Sequence, residues 1–204
     1  LMVADGATTK LSAAAGLNIA GNVTNSGNTT LNASAITVGS EEEAGNLVNN
    51  AGNLNVIAHT DEWGSVTVYG DVTNNNGNTS IEGREVAIAG NVVNKNGTTT
   101  IKGSDLGEGP IVLGGLDVQG GTANIDALIG EFEIANYVAG AADLTVSGGK
   151  LNIGGNTNLV YVRGSADIDG NVTAMAGAAT GAGDVAVQAK GLKGFVLASD
   201  TTID

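Results

Sequence analysis

The chain has no cysteine among its 204 residues, which removes disulfides, thiolate metal ligands and cysteine nucleophiles together. It has one proline, one histidine and one tryptophan, and aromatics make up only 3%. A core built on Leu and Phe is therefore not available. Val, Ile, Ala and Thr remain, and these suit thin layers of strands. Basic residues number 8 against 21 acidic ones, a formal charge of −13, and they form no cluster. Binding a phosphate backbone needs clustered Lys or Arg, so neither nucleic acid nor an anionic membrane is an expected partner. No apolar run reaches the roughly 18 residues a membrane helix needs, so no membrane insertion is expected. No basic-plus-apolar signal segment opens the chain. It begins Leu1-Met2-Val3 and is periodic by Leu11, which reads as mature protein or a piece of something longer.

Glycine and asparagine are abundant instead. Gly, at 33 residues, is about twice its usual share. Asn reaches 23, of which only 6 lie beyond residue 100, so the two halves are built differently. Without periodicity such a composition would mean disorder. Here the aliphatic positions recur in register. Four copies of one phrase run through the first hundred residues: Gly, Asn or Asp, an aliphatic residue, any residue, Asn, a short gap, Gly, and an aliphatic four positions on. They are Gly21-Asn22-Val23-Thr24-Asn25 to Leu31, Gly45-Asn46-Leu47-Val48-Asn49 to Val56, Gly70-Asp71-Val72-Thr73-Asn74 to Ile81, and Gly90-Asn91-Val92-Val93-Asn94 to Ile101. Their starts are 24, 25 and 20 residues apart. A repeat of that length, made of short β-prone runs punctuated by Gly and Asn, marks a solenoid.

Each copy reads as three short strands joined by tight corners. In the first copy they are Val23-Thr24-Asn25, Thr29 to Ala33 and Ile36-Thr37-Val38; in the third, Val72-Thr73-Asn74, Thr79 to Glu82 and Val86-Ala87-Ile88. Three strands per coil predict an all-β fold, a single parallel β-helix with about 20–25 residues per coil in the N-terminal half. Crossover chirality favours a right-handed coil. Aliphatics point inward, and corners take Gly and Asn, which tolerate positive φ. Asn25, Asn49, Asn74 and Asn94 then fall in one column, where a continuous row of amides can satisfy itself. The period continues beyond residue 104 with fewer Asn and weaker spelling. Residues 1–204 read as one domain, Asn-rich over roughly 17–103 and less regular over roughly 104–204. About nine or ten coils, at the ~4.8 Å spacing of paired strands, make a rod on the order of 45 Å long. Neither end shows an amphipathic helix or charged cap. An open end coil invites pairing with another chain, and a head-to-tail contact that does not close builds a filament.

The stretches Gly21 to Leu31 and Ala44 to Leu54 resemble the filamentous haemagglutinin-like repeats of large secreted bacterial adhesins and exoproteins. The resemblance covers roughly residues 17–103. It implies a right-handed β-helix, an extracellular or cell-surface location, and an adhesive or fibre-forming role. The chain is short and lacks those proteins' secretion domain. The phrasing around Val66 to Val72 is also similar to the bactofilins, which implies an intracellular cytoskeletal filament as the second choice.

Two insertions fall between the second and third strands of their coils. The second coil inserts Ala58-His59-Thr60-Asp61-Glu62-Trp63-Gly64; the fourth inserts Ser104 to Pro110, with Asp105 and Glu108. They hold the only His, Trp and Pro of the chain. Solenoids place binding on such loops, so His59, Asp61, Glu62, Trp63, Asp105 and Glu108 are candidates for a carbohydrate or cell-surface contact. The plainer alternative is a decorated corner whose Trp packs on the coil below or on a neighbouring subunit. Asp167, Asp169 and Asn171 resemble a fragment of a calcium loop without its closing Glu, so calcium is the one cofactor left open. Glu41-Glu42-Glu43 reads as a solvated acidic corner. No catalytic set emerges: His59 stands alone, no Ser sits in a Gly-x-Ser-x-Gly setting, and Arg84 and Arg163 are isolated from grouped acids. The expectation is a non-enzymatic rod that partners itself as a homopolymer or head-to-tail assembly, in an extracellular filament, fibre or surface layer. The alternative is an adhesin module using loops 58–64 and 104–110.

Overall fold

The computed structural model describes residues 1–58, 64–103, 109–127, 131–134 and 143–153, and, beyond them, the backbone of the strands Leu159–Val162, Ala166–Ile168, Asn171–Ala174, Val185–Ala189, Leu192–Lys193, Val196–Leu197 and Thr201–Ile203. The fold is an all-β solenoid of stacked parallel sheets, with about 5 regular turns and no helix among the described residues. One coil comprises Val23–Asn25, Asn28–Ala33 and Ala35–Val38; the next comprises Leu47–Asn49, Asn53–Ala58 and Ser65–Val68. Each strand pairs in parallel with its counterpart one coil on: Val23 with Leu47, Asn28 with Asn53, Ala35 with Ser65. The middle strands alone form a nine-stranded sheet running from Thr8–Ser12 to Val196–Leu197.

The uneven period has a simple geometric origin. The coil starting at Gly70 is the minimal one, its strands Val72–Asn74, Asn78–Glu82 and Glu85 onward separated only by short corners. The coil before it has the same sheet register but carries its extra residues between Ala58 and Ser65. The first copy carries its own between Val38 and Leu47. There Ser40 N–H donates to Glu43 O at 2.8 Å and closes a small exposed loop holding Glu41, Glu42 and Glu43. Insertions thus lengthen corners and leave the stack untouched.

One difference from the sequence reading concerns the third strand. Val86–Ile88 is not a separate strand: Glu85–Asn94 runs without a break from the third face of one coil into the first face of the next, with a register shift between Ile88 and Asn91. Ile111–Val118 does the same. The corner here shrinks to Gly114-Gly115 in the later strand, too short to turn away from extended backbone. A Cβ on Gly114 would collide with the carbonyl oxygen of Ala89.

Alternation along each strand fills the interior with aliphatic columns. Val23, Leu47, Val72, Val92, Leu116 and Leu144 stack on one side. Leu31, Val56, Ile81, Ile101, Ile125 and Ile153 stack on the second. All are fully or almost fully buried, and each contributes about 1.5–3 kcal/mol of hydrophobic stabilisation as an upper estimate. Leu11, Leu17 and Ile19 of the first coil are half-buried, being covered from one side only.

Candidate functional site

The most organised polar feature lies inside. Asn25, Asn49, Asn74 and Asn94 occupy directly paired positions and are completely buried. Asn25 Nδ2 donates to Asn49 Oδ1 at 2.8 Å, Asn49 Nδ2 to Asn74 Oδ1 at 3.4 Å, and Asn74 Nδ2 to Asn94 Oδ1 at 3.1 Å. Asn94 Nδ2 donates to the carbonyl of Gly120 at 2.6 Å. The amide nitrogens of Asn25, Asn49 and Asn74 also reach the carbonyl that opens the middle strand of the next coil: Asn53 O at 3.2 Å, Asn78 O at 3.0 Å and Thr98 O at 3.1 Å. The column stops where Val3 pairs with Asn25 and Val118 with Asn94. At its two ends threonines complete the acceptors: Thr29 Oγ1 donates to Asn25 Oδ1 and Thr99 Oγ1 to Asn94 Oδ1, both at 2.8 Å. Thr79 sits in the same sheet column, yet its buried hydroxyl has no partner. With its amide nitrogens already donating to neighbouring coils, the column is a register device.

A second column accounts for the opening Gly-Asn or Gly-Asp of each copy, to which the sequence reading assigned no role. Asn46 N–H donates to Asn22 Oδ1 at 2.8 Å, Asp71 N–H to Asn46 Oδ1 at 2.7 Å, and Asn91 N–H to Asp71 Oδ1 at 2.8 Å. Only a side-chain oxygen is used, which is why Asn and Asp interchange. In the third and fourth copies the preceding glycine makes room for that oxygen: a Cβ on Gly70 would collide with Asn46 Oδ1, and one on Gly90 with Asp71 Oδ1. The repeated dipeptide was the signal available in sequence.

A third set of amides rules the solvent face of the middle sheet. Asn53 Nδ2 donates to Asn28 Oδ1 at 2.7 Å and Asn78 Nδ2 to Asn53 Oδ1 at 3.1 Å. Donation here runs down the stack, opposite to the buried column. Lys102 lies 3.9 Å from Glu82 in an exposed pair of little energetic weight.

At the first corner, between the first and middle strands, glycines stack. Gly52, Gly77, Gly97 and Gly121 all have positive φ, and a Cβ on Gly97 would collide with the carbonyl oxygen of Gly77. Those carbonyls accept from the next coil: Asn78 N–H to Gly52 O, Thr98 N–H to Gly77 O and Thr122 N–H to Gly97 O, each at 2.8 Å.

The second corner carries the long insertions. His59, Asp61, Glu62 and Trp63 lie outside the described residues, as do Asp105 and Glu108. Their attachment points are described. Ala58, Gly64, Gly103 and Gly109 are buried. Gly64 O accepts Arg84 N–H at 2.7 Å, and Gly103 N–H donates to Asp126 O at 2.7 Å. Both insertions therefore leave the same corner, two rungs or about 10 Å apart along the axis. Arg84 occupies that corner in the coil between them.

Asp167 and Asn171 fall on described backbone strands, and Asp169 lies outside the described residues. Among the described residues no group of three or more Asp, Glu or His is placed to hold a metal ion, and no helix is long and apolar enough to cross a membrane. In comparison with known proteins, the chain matches no family model, no curated protein and no solved structure.

Proposed function

We propose that this chain is a structural, non-enzymatic β-solenoid that forms, or is part of, an extracellular filament, fibre or surface layer, with other copies of itself as its partner. The observation that carries the reading is the buried asparagine column. A slip of one residue would turn the inward side chains outward, and a slip of two would set Asn against the aliphatic stack of Val23, Leu47, Val72 and Val92, where an unpartnered buried amide costs about 1–3 kcal/mol per group. Polar groups placed in this way hold coils in register along an axis, which is what a rod of fixed length and twist requires. The resemblance of the Gly-Asn-Val-Thr-Asn phrase to filamentous haemagglutinin-like repeats supports an extracellular setting.

Electron microscopy of the purified chain over a concentration series tests this. Long unbranched filaments with a regular axial repeat are expected. Isolated short rods at every concentration would refute self-polymerisation.

The two insertions rooted at one corner favour a second reading, an adhesin module that contacts a cell-surface or carbohydrate ligand through Trp63 and its neighbours. Under that reading Trp63→Ala abolishes ligand binding and leaves assembly intact. Loss of assembly alone would assign the tryptophan to packing.

A further inference from the structure

Two coils carry an Asn-Gly pair at the glycine corner, Asn76-Gly77 and Asn96-Gly97, where the two coils before them have Ser26-Gly27 and Ala51-Gly52. Both asparagines are exposed, and both glycines have positive φ, 112° and 83°. At Asn96 the geometry goes further. The backbone N–H of Gly97 donates to Oδ1 of Asn96 itself, at 2.9 Å. In the coil that begins at Val23 the corresponding Gly27 N–H is turned inward to the ladder oxygen of Asn25. The Gly97 nitrogen thus lies against the side-chain carboxamide of the residue before it, 2.9 Å from Oδ1, which places the adjoining Cγ beside it for attack. Glycine brings no Cβ to shield that nitrogen.

We infer that Asn96-Gly97 is a self-modification site, which deamidates through a cyclic imide and places a carboxylate at the glycine corner. The Gly97 nitrogen gives its proton to hydroxide, and its electron pair forms a bond to Cγ of Asn96. The tetrahedral carbon then expels Nδ2, which takes a proton from water and leaves as ammonia. Water adds to one imide carbonyl and opens the ring to aspartate or to its iso-linked isomer. One amide and one water become one carboxylate and one ammonium, and nothing is oxidised or reduced.

The surroundings select the order and the product. Asn96 Nδ2 donates to Asn76 Oδ1 at 3.5 Å. Deamidation removes that donor and releases the Asn76 carboxamide, so Asn76-Gly77 reacts second. The iso-linked product adds a carbon to the backbone of the corner. Gly97, which follows the added carbon, is held in place, packed on Gly77 with its carbonyl accepting Thr122 N–H at 2.8 Å, so a main chain lengthened at residue 96 would have to displace it. Ring opening to the normal linkage is favoured while the coil stays folded. The chain, already at −13, gains a further negative charge with each event.

The test incubates the folded chain in mildly alkaline buffer beside the same chain in denaturing urea. Peptide mapping by mass spectrometry follows Asn and Asp forms, and isoaspartyl methyltransferase labelling follows the iso-linked form. Folded chain is expected to convert Asn96 ahead of Asn76 and mainly to aspartate, while in urea both convert alike with more iso-linked product. Asn96→Asp, which removes the donor in advance, is expected to speed conversion of Asn76. Folded Asn96 converting no sooner than Asn76 overturns the inference, and Asn76 indifferent to Asn96→Asp overturns the order.

Discussion

Replacing each of three stacked threonines by valine asks whether the buried hydrogen bonds have the values assigned to them. Thr29, Thr79 and Thr99 lie in one inward column of the middle sheet, all at most 1% exposed. Valine keeps the branched shape, so each substitution trades a hydroxyl for a methyl in the same place. Thr79 Oγ1 has no partner, with the apolar Leu54 beneath it. Burying a hydroxyl without a bond costs about 1–3 kcal/mol in protein interiors, so Thr79→Val should stabilise by about 1 kcal/mol. Thr29→Val and Thr99→Val each delete a 2.8 Å bond. The oxygens left behind keep one donor each, Gly27 N–H at 3.2 Å for Asn25 and Asn74 Nδ2 at 3.1 Å for Asn94. The loss is therefore held to about 1 kcal/mol apiece. For a chain of this size each kcal/mol moves Tm by about 2–4 °C, upward for Thr79→Val and downward for the other two. Urea unfolding followed by circular dichroism gives the midpoints. Amide hydrogen exchange is a second readout, since stacked coils can lose cooperativity. Three equal shifts, or a loss of stability in Thr79→Val, would refute the reasoning.

Two further outcomes follow from the columns. Gly97→Ala forces a side chain into a left-handed backbone with φ 83° and into the carbonyl of Gly77, so it should cost more than the ~1–2 kcal/mol of the backbone strain alone. Gly6→Ala, with φ 71° and nothing within 4 Å of the new methyl, should cost only that strain, which paired thermal melts can resolve. Asp71→Asn should leave stability unchanged, because the neighbouring coils use asparagine oxygen for the same bond, whereas Asp71→Ala should lose about 1 kcal/mol in urea titration.

The solenoid and its three-strand coils were legible because the inward aliphatics and the corner glycines recur at fixed offsets, as in Val23, Leu47, Val72 and Val92. The asparagine column was legible for the same reason: a polar residue repeated at an inward position must meet its own kind. The role of Asn22, Asn46, Asp71 and Asn91 was not, because a bond from a side chain to the backbone of the next coil leaves no periodic trace beyond the residue itself. The fusion of third and first strands at Ala89-Gly90 was hidden by glycine, which marks a turn as readily as a close approach. The solitary hydroxyl of Thr79 depends on side-chain orientation, and Thr29, Thr79 and Thr99 look alike in sequence. The corner insertions could be placed by counting strands, but their chemistry belongs to residues 59–63 and 104–108, where periodicity ends.

The corners differ in what they permit evolution to change. At the glycine corner no Cβ fits on Gly27, Gly52, Gly77, Gly97 or Gly121, and the length is held at two or three residues between Asn25 and Asn28, Asn49 and Asn53, and Asn94 and Thr98. At the second corner the chain leaves at Ala58, returns at Ser65, and resumes pairing as if nothing had intervened. Such a corner is a cassette position. Whatever is inserted there is displayed at a set height on the rod, and its sequence can drift or be replaced wholesale while the rise per coil stays constant. A binding peptide grafted between Ala58 and Ser65 would inherit its height and spacing from the rod.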